Sequence, residues 1–357
     1  MVENYTMHIH EAMPEDNDEL QELQAKCPMG TTLIVSTVNT PDFFARARAY
    51  ESHKVFVACE DNRIIGSAAC AIRDPVVNGN IHRVGYEFQY FTSPDYRRKG
   101  VARRLHQHIE DYLTRQGVLL SYCLIMEGNL SSMRLFESQG FKLHRTLVML
   151  GLGIYKEMDV SSKGNIRSVT SEDLATVAEL LNETWQGYDL YEPTSAEALT
   201  QFVNRTPTYS FNNLVILEDR GEILACLGFW DWSQITQITV KARSLKIRMI
   251  GLLLNISRYL QPMPRSLKPG DTLKQMVLTP IAFKDPRYLA VLLRYMNNQA
   301  LLRGIEQIFC VCERDHVLLK SMRGFIRVDT ATYLYIKLLQ QNVSMGEKPV
   351  FIDGIDL

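Results

Sequence analysis

Apolar and polar positions along the chain fall into two similar blocks. Val55-Phe-Val-Ala-Cys59 runs into the polar turn Glu60-Asp-Asn-Arg63 and back into Ile64-Ile-Gly-Ser67, which predicts a β-hairpin. Leu214-Val-Ile-Leu217, the turn Glu218-Asp-Arg-Gly-Glu222 and Ile223-Leu-Ala-Cys226 repeat the pattern 158 residues later. Gln139-Gly-Phe141 and Arg323-Gly-Phe325 form a second echo, each after a short amphipathic stretch and 184 residues apart. The 26-residue difference fits an insertion in the second copy, so the chain reads as a divergent tandem duplication.

The first copy predicts a strand near Met7 to Met13 and helical stretches over Asp16–Ala25 and Pro41–Tyr50. The hairpin follows, then a long strand from Arg83 to Phe91. Val101, Leu105, Ile109 and Leu113 recur at spacing four, so a helix runs to about Gln116. A strand over Leu119–Ile125, a short helix over Ser131–Ser138 and further strand after Phe141 complete the copy. The second copy begins near Asn165, with a helix over Ser171–Trp185 that Ser171 caps. Its later elements are a strand near Met276–Ala282, a helix after Pro286 and a strand over Gln307–Cys312. The fold class is α+β: two tandem domains, each a mostly antiparallel sheet flanked by helices. The expected boundaries are 1–158, 163–342 and a tail over 343–357, which adds an edge strand or simply trails.

A length of 357 residues suits two domains of ordinary size. Lys plus Arg is 39 and Asp plus Glu is 40, so no basic surplus favours nucleic acid. The seven cysteines lie mostly in apolar runs and read as reduced packing residues of a cytoplasmic protein. Cys310 and Cys312 lack a partner pair or a histidine at ligand spacing, so no metal is expected. The first residues carry no basic head before an apolar stretch, which argues against a secretory leader. Nothing fits a bilayer span, and no membrane partner is expected. The insertion, about Ser233–Asp271, mixes Lys241, Arg243, Lys246, Arg248, Arg258, Arg265 and Lys268 with Ile, Leu and Met. It predicts a surface helix packed by its apolar side; contact with a membrane or an acidic partner is the alternative.

The stretch with chemistry is Tyr90-Phe-Thr-Ser-Pro-Asp-Tyr-Arg-Arg-Lys-Gly-Val-Ala102. A strand ends near Thr92 and Pro94 stops it. Arg97, Arg98, Lys99 and Gly100 form a basic loop, and Val101 and Ala102 open the helix. Helix-start amides and a close-approach glycine make an anion site fit for a pyrophosphate. Taken alone, such a loop also occurs as a solvated turn.

Arg97-x-x-Gly100-x-Ala102 after Pro94-Asp-Tyr-Arg, then Asn129, Phe136 and Gly140-Phe141 in order, resembles the GNAT superfamily of acyl-CoA-dependent N-acetyltransferases. The resemblance spans about residues 5–155. It implies a pantetheine arm lodged between the strand ending at Thr92 and the strand ending near Met126. Backbone groups of Phe91 and Thr92 pair with the arm, amides of Arg98 to Ala102 hold the pyrophosphate, and Asn129 faces the arm from the other side. It implies an acetyl-CoA donor, no metal and a small-molecule or peptide amine acceptor; the oligomeric state is left open. Phe136 stands where many members carry a proton-donating Tyr, so a binding or regulatory protein without turnover is the alternative. Glu87 is the expected general base, paired by strand alternation with Gln89 and opposite Tyr86 and Phe88. The second copy looks like a degenerate member: Phe283-Lys-Asp-Pro-Arg-Tyr-Leu has no glycine, and Pro286 lacks an N–H. It is expected not to bind coenzyme A.

Overall fold

A computed structural model describes residues 7–162, 164–340 and 345–357; the expected boundaries at 163 and at 342–343 lie outside the described residues. The first half contains β1 (His8–Glu11), α1 (Asn17–Ala25), β2 (Leu33–Asn39), β3 (Ser52–Glu60), β4 (Arg63–Arg73), β5 (Val76–Val77), β6 (Asn80–Ile81), β7 (Val84–Thr92), α2 (Val101–Arg115), β8 (Leu120–Met126), α3 (Leu130–Ser138) and β9 (Lys142–Gly153). The second contains β10 (Asn165–Ser168), α4 (Leu174–Thr184), α5 (Ala196–Arg205), β11 (Leu214–Asp219), β12 (Glu222–Asp231), β13 (Thr236–Arg243), α6 (Leu245–Ser257), β14 (Thr272–Leu273), β15 (Gln275–Phe283), α7 (Pro286–Leu302), β16 (Gln307–Cys312) and β17 (Ile326–Leu338).

The two halves share one twelve-stranded sheet, in the order β1-β3-β4-β7-β8-β17-β9-β16-β15-β12-β11-β10. Only β7–β8 and β15–β16 are parallel in it; the other neighbours are antiparallel. The order is a palindrome about the β17–β9 pair. Each half ends in a long strand, and those strands have changed places. β17 pairs with β8 from Leu120 to Met126, and β9 pairs with β16 from Gln307 to Cys312. Each therefore satisfies the backbone edge that the other half leaves open. A second sheet, β14-β13-β2, also joins the halves: β13 of the insertion lies along β2, which the apolar pattern did not reveal.

Helices cover both faces of the first half. Along β4, Ala68 and Cys70 pack with Val101, Leu105, Ile109 and Leu113 of α2. Ala69 and Ala71 point the other way, to the cluster containing Leu20 and Leu23 of α1. Gly66 lets α2 sit close, because a Cβ there would come within 2.6 Å of a Val101 methyl. The segment 41–50 forms two 3₁₀ turns, Phe43–Ala45 and Ala47–Ala49, rather than one helix. Asp42 accepts from the Phe44 amide and starts the first turn. Among its described residues the tail adds no edge strand. It threads between the halves: the Asp189 amide donates to the Pro349 carbonyl and the Phe351 amide to the Asp189 carbonyl, each at 2.8 Å.

His144 on β9 has its pKa lowered from 6.5 to about 4, first by burial and then by Arg145. Below pH 6.5 the unfolded chain takes up a proton that the folded chain refuses until about pH 4. Stability from this group is present above pH 6.5 and is lost as pH falls through that window. Urea midpoints at pH 7 and pH 4.5 are expected to drop less for H144Q than for the parent protein.

Candidate active site

β7 and β8 pair only from Val84 to Tyr86 and from Leu120 to Tyr122. Beyond these residues they splay, leaving a wedge between Glu87–Thr92 and Cys123–Met126. A bulge shapes its β7 wall. Ser67 of β4 faces Phe91 and Ala69 faces Phe88, so β7 carries an extra residue here, and Gln89 has φ of 53°. The bulge changes the phase of the strand. Tyr90 joins Glu87 on the α2 face, while Phe91 joins Tyr86 and Phe88 opposite. Phe91 is buried edge-on against Phe43, and the Thr92 carbonyl accepts from the Cys27 thiol.

The loop after β7 leads the chain into α2 through two residues in the left-handed region. Arg98 and Gly100 have φ of 63° and 84°. Arg97, Arg98, Lys99 and Gly100 are exposed, and Val101 is buried as the seat of the helix. No side chain caps α2. Among the described residues no acceptor meets the amides of Arg98, Gly100, Val101 or Ala102. Nothing lies within 4 Å of where a Gly100 Cβ would stand. The turn is thus open, and its free N–H groups sit at the positive end of a 15-residue helix. Across the wedge, Asn129 caps α3, its Oδ1 accepting from the Ser132 amide at 3.3 Å.

Two buried carboxylates flank the wedge on opposite faces. Glu87 points to α2: Tyr90 and Ser121 hydroxyls donate to it at 2.5 and 2.7 Å, and His106 Nδ1 lies 2.9 Å away. The side chain is 1% exposed. Phe136 closes this side, edge-on to Tyr90, His106 and Phe141. Burial first, then Glu87, push the Tyr90 phenol well above 10, so it keeps its proton. On the other face stands Asp356, from the tail, which sequence reasoning did not single out. Tyr50 and Tyr122 hydroxyls each donate to it at 2.9 Å, and Arg73 Nη1 lies 3.1 Å away. Tyr122 sits opposite Tyr86 in the last paired register, at the apex of the wedge. Burial pushes the Asp356 carboxyl up from 3.8, against the pull of Arg73.

The second half repeats the wedge and fills it. β15 and β16 pair from Gln275 to Val277 and from Gln307 to Phe309. Where they part, the tail segment Phe351–Gly354 lies beside Leu278–Ile281 and Cys310, so close that a Cβ on Gly354 would come within 2.3 Å of the Leu278 carbonyl. Thr279 donates to Asp353 at 2.5 Å. The turn before α7 is also closed: Asp285 accepts from the Arg287 amide at 2.8 Å. A cavity of about 430 Å³ remains beside it, lined by Arg287, Arg294, Lys320 and Arg323.

Residues 17–141 match the model of the acetyltransferase (GNAT) family. No curated protein matches the sequence significantly. Among solved structures, N-myristoyltransferase of Saccharomyces cerevisiae with bound myristoyl-CoA aligns with a TM-score of 0.64 at 11% identity, over 94% of this chain and 79% of that one. A GCN5-related N-acetyltransferase from Sphaerobacter thermophilus gives 0.58 at 11% identity, over 95% and 98%. One from Anabaena variabilis gives 0.54 at 12%, over 94% and 73%. At such identities these neighbours share the fold. Residues 17–141, which hold the wedge and loop, thus match the acetyltransferase (GNAT) family model, and the chain as a whole shares the fold of these N-acyltransferase neighbours.

Proposed function

We propose that the protein transfers an acetyl group from acetyl-CoA to a primary amine at the β7–β8 wedge. The observation that carries this is the open turn before α2, where the amides of Arg98, Gly100, Val101 and Ala102 meet no acceptor among the described residues, next to the strand edges of the wedge. Phe91, Thr92 and Asn129 border the arm, Phe136 backs it, and Arg97, Arg98, Lys99, Gly100, Val101 and Ala102 receive the diphosphate. A backbone N–H of β7 polarises the thioester carbonyl. The neutral amine attacks, the C–N bond forms and the C–S bond breaks. The amine proton passes through Tyr122 or Tyr50 to Asp356, and the leaving thiolate takes a proton from solvent at the wedge mouth. Glu87, enclosed by three partners, acts through Tyr90 as a positioning residue. The second half does not take coenzyme A, because its own tail occupies the equivalent wedge.

Isothermal calorimetry with acetyl-CoA tests the cradle, and free-thiol release across amines, amino acids, aminoglycosides and peptides tests transfer. No heat of binding with folded protein sinks the proposal. Binding without thiol release supports the second reading, a coenzyme-binding regulator, which the phenyl ring at Phe136 favours. E87Q is expected to lower kcat about tenfold by loosening Tyr90, with acetyl-CoA affinity unchanged. Y90F should reproduce that split; equal rates for parent and both variants remove Glu87 and Tyr90 from the mechanism.

A further inference from the structure

Helix α6 turns its apolar stripe away from the protein. At 100° per residue, Leu245, Met249, Leu252, Leu253 and Ile256 fall within one arc of about 100°. All five are between 64 and 72% exposed. The opposite arc, Ile247, Gly251 and Leu254, faces the body, and Gly251 is buried because Ser266 stands where its side chain would be. Tyr259 and Leu260 extend the exposed surface past the helix end. The expected packing of the apolar side against the fold is therefore reversed.

Charge says what covers this stripe. From Trp232 to Gly270 there are seven Lys and Arg and no Asp or Glu. Arg265 pairs with Glu306 and Asp271, and Arg243 donates to the Leu267 carbonyl. Lys241, Lys246, Arg248, Arg258 and Lys268 have no carboxylate partner among the described residues. A second copy meeting this one stripe to stripe would oppose five such cations with five more. We propose that α6 docks the protein on an anionic lipid bilayer, lying in its interface with the apolar stripe among the acyl chains and the cations at the headgroups. No helix among the described residues is long and apolar enough to cross a membrane.

The helix also starts at the rim of the wedge. The Ser244 amide donates to the Thr32 carbonyl at 2.8 Å. Thr31 stands 2.9 Å from where a Cβ on Gly128 would lie, and Gly128 precedes the Asn129 cap. Docking through α6 brings the mouth of the wedge within a loop of the lipid surface.

Sedimentation of the full chain with sucrose-loaded vesicles tests this. Phosphatidylcholine vesicles and vesicles with about 30% phosphatidylserine are compared at low and at high salt. Binding is expected only to the anionic vesicles and should weaken at high salt. K246E/R248E should reduce partitioning about 30-fold. L252E/L253E should abolish it, with unchanged circular dichroism and acetyl-CoA binding. Failure to bind anionic vesicles overturns the proposal, as does undiminished binding of L252E/L253E. A dimer in analytical ultracentrifugation that L252E/L253E dissolves, with vesicles ignored, assigns the stripe to a second copy instead. Acetyl-CoA binding is read separately, so failure of docking is distinct from failure of the acyltransferase reading.

Discussion

Gly100→Glu is expected to abolish acetyl-CoA binding while leaving the protein folded. Gly100 has φ of 84°, a region that costs other L-residues about 1–2 kcal/mol. Its Cβ position is empty, so the new side chain meets nothing in the free protein. Thermal stability should therefore fall by little more than the backbone cost. Binding is another matter, because the carboxylate enters the volume where a diphosphate must lie against the amides of Arg98 to Ala102. Bulk and like charge act together there, and affinity should drop by at least about 100-fold, equivalent to about 2.7 kcal/mol. Gly100→Ala carries the backbone cost without the charge and should lose far less. Calorimetry with acetyl-CoA checks both variants. Unchanged affinity in Gly100→Glu would move the coenzyme elsewhere, and the cation-lined cavity beside α7 would be the first place to look.

Asp356→Ala should be the most destabilising single change at the site. Arg73 has a side chain only 9% exposed, and its other carboxylate, Glu192, is 43% exposed. Removing Asp356 leaves a nearly buried guanidinium with one solvent-screened carboxylate and the Tyr122 phenol without its acceptor, while Tyr50 keeps only the Ile355 carbonyl. Breaking a buried pair from one side costs about 3–5 kcal/mol; Glu192 should hold this case near the lower end. Asp356→Asn keeps the shape and an acceptor oxygen, so it should lose less stability. Its rate of thiol release should nevertheless fall about 100-fold with acetyl-CoA affinity retained, since an amide cannot take the amine proton. Urea denaturation and steady-state kinetics measure the two effects separately. An Asn variant with parental turnover would leave Asp356 a structural role alone.

The parts of this site legible in the sequence were those encoded locally. The basic loop, its glycine and the periodicity of α2 lie within twenty residues, and the structure places them together at the wedge. The orientation of Glu87 was not legible. Simple alternation assigns Gln89 to the same face, but the bulge inserts a residue and brings Tyr90 there instead. Asp356 reaches the site from about 230 residues beyond Tyr122, a contact no spacing rule could supply. Its signal was the apolar run Val350, Phe351, Ile352 and Ile355, which a freely trailing tail would not need. β2 and β13 pair with each other across the two halves of the chain, about 200 residues apart, so no local turn signal marks the pairing. The helix α6 was legible as a helix, but its exposed side depends on which face the body leaves uncovered.

The exchange of β9 and β17 has a bearing on how this protein is made. On the ribosome, the first 160 residues emerge with the outer edge of β8 unpaired, and it stays so until residues 326–338 follow. At 5–20 residues per second that is a wait of roughly 10–35 s. Each half therefore depends on the other for the partner of one of its strands. Expressed alone, residues 1–158 should present a bare, adhesive ribbon and precipitate, whereas mixing them with the remaining chain during refolding should rescue both pieces.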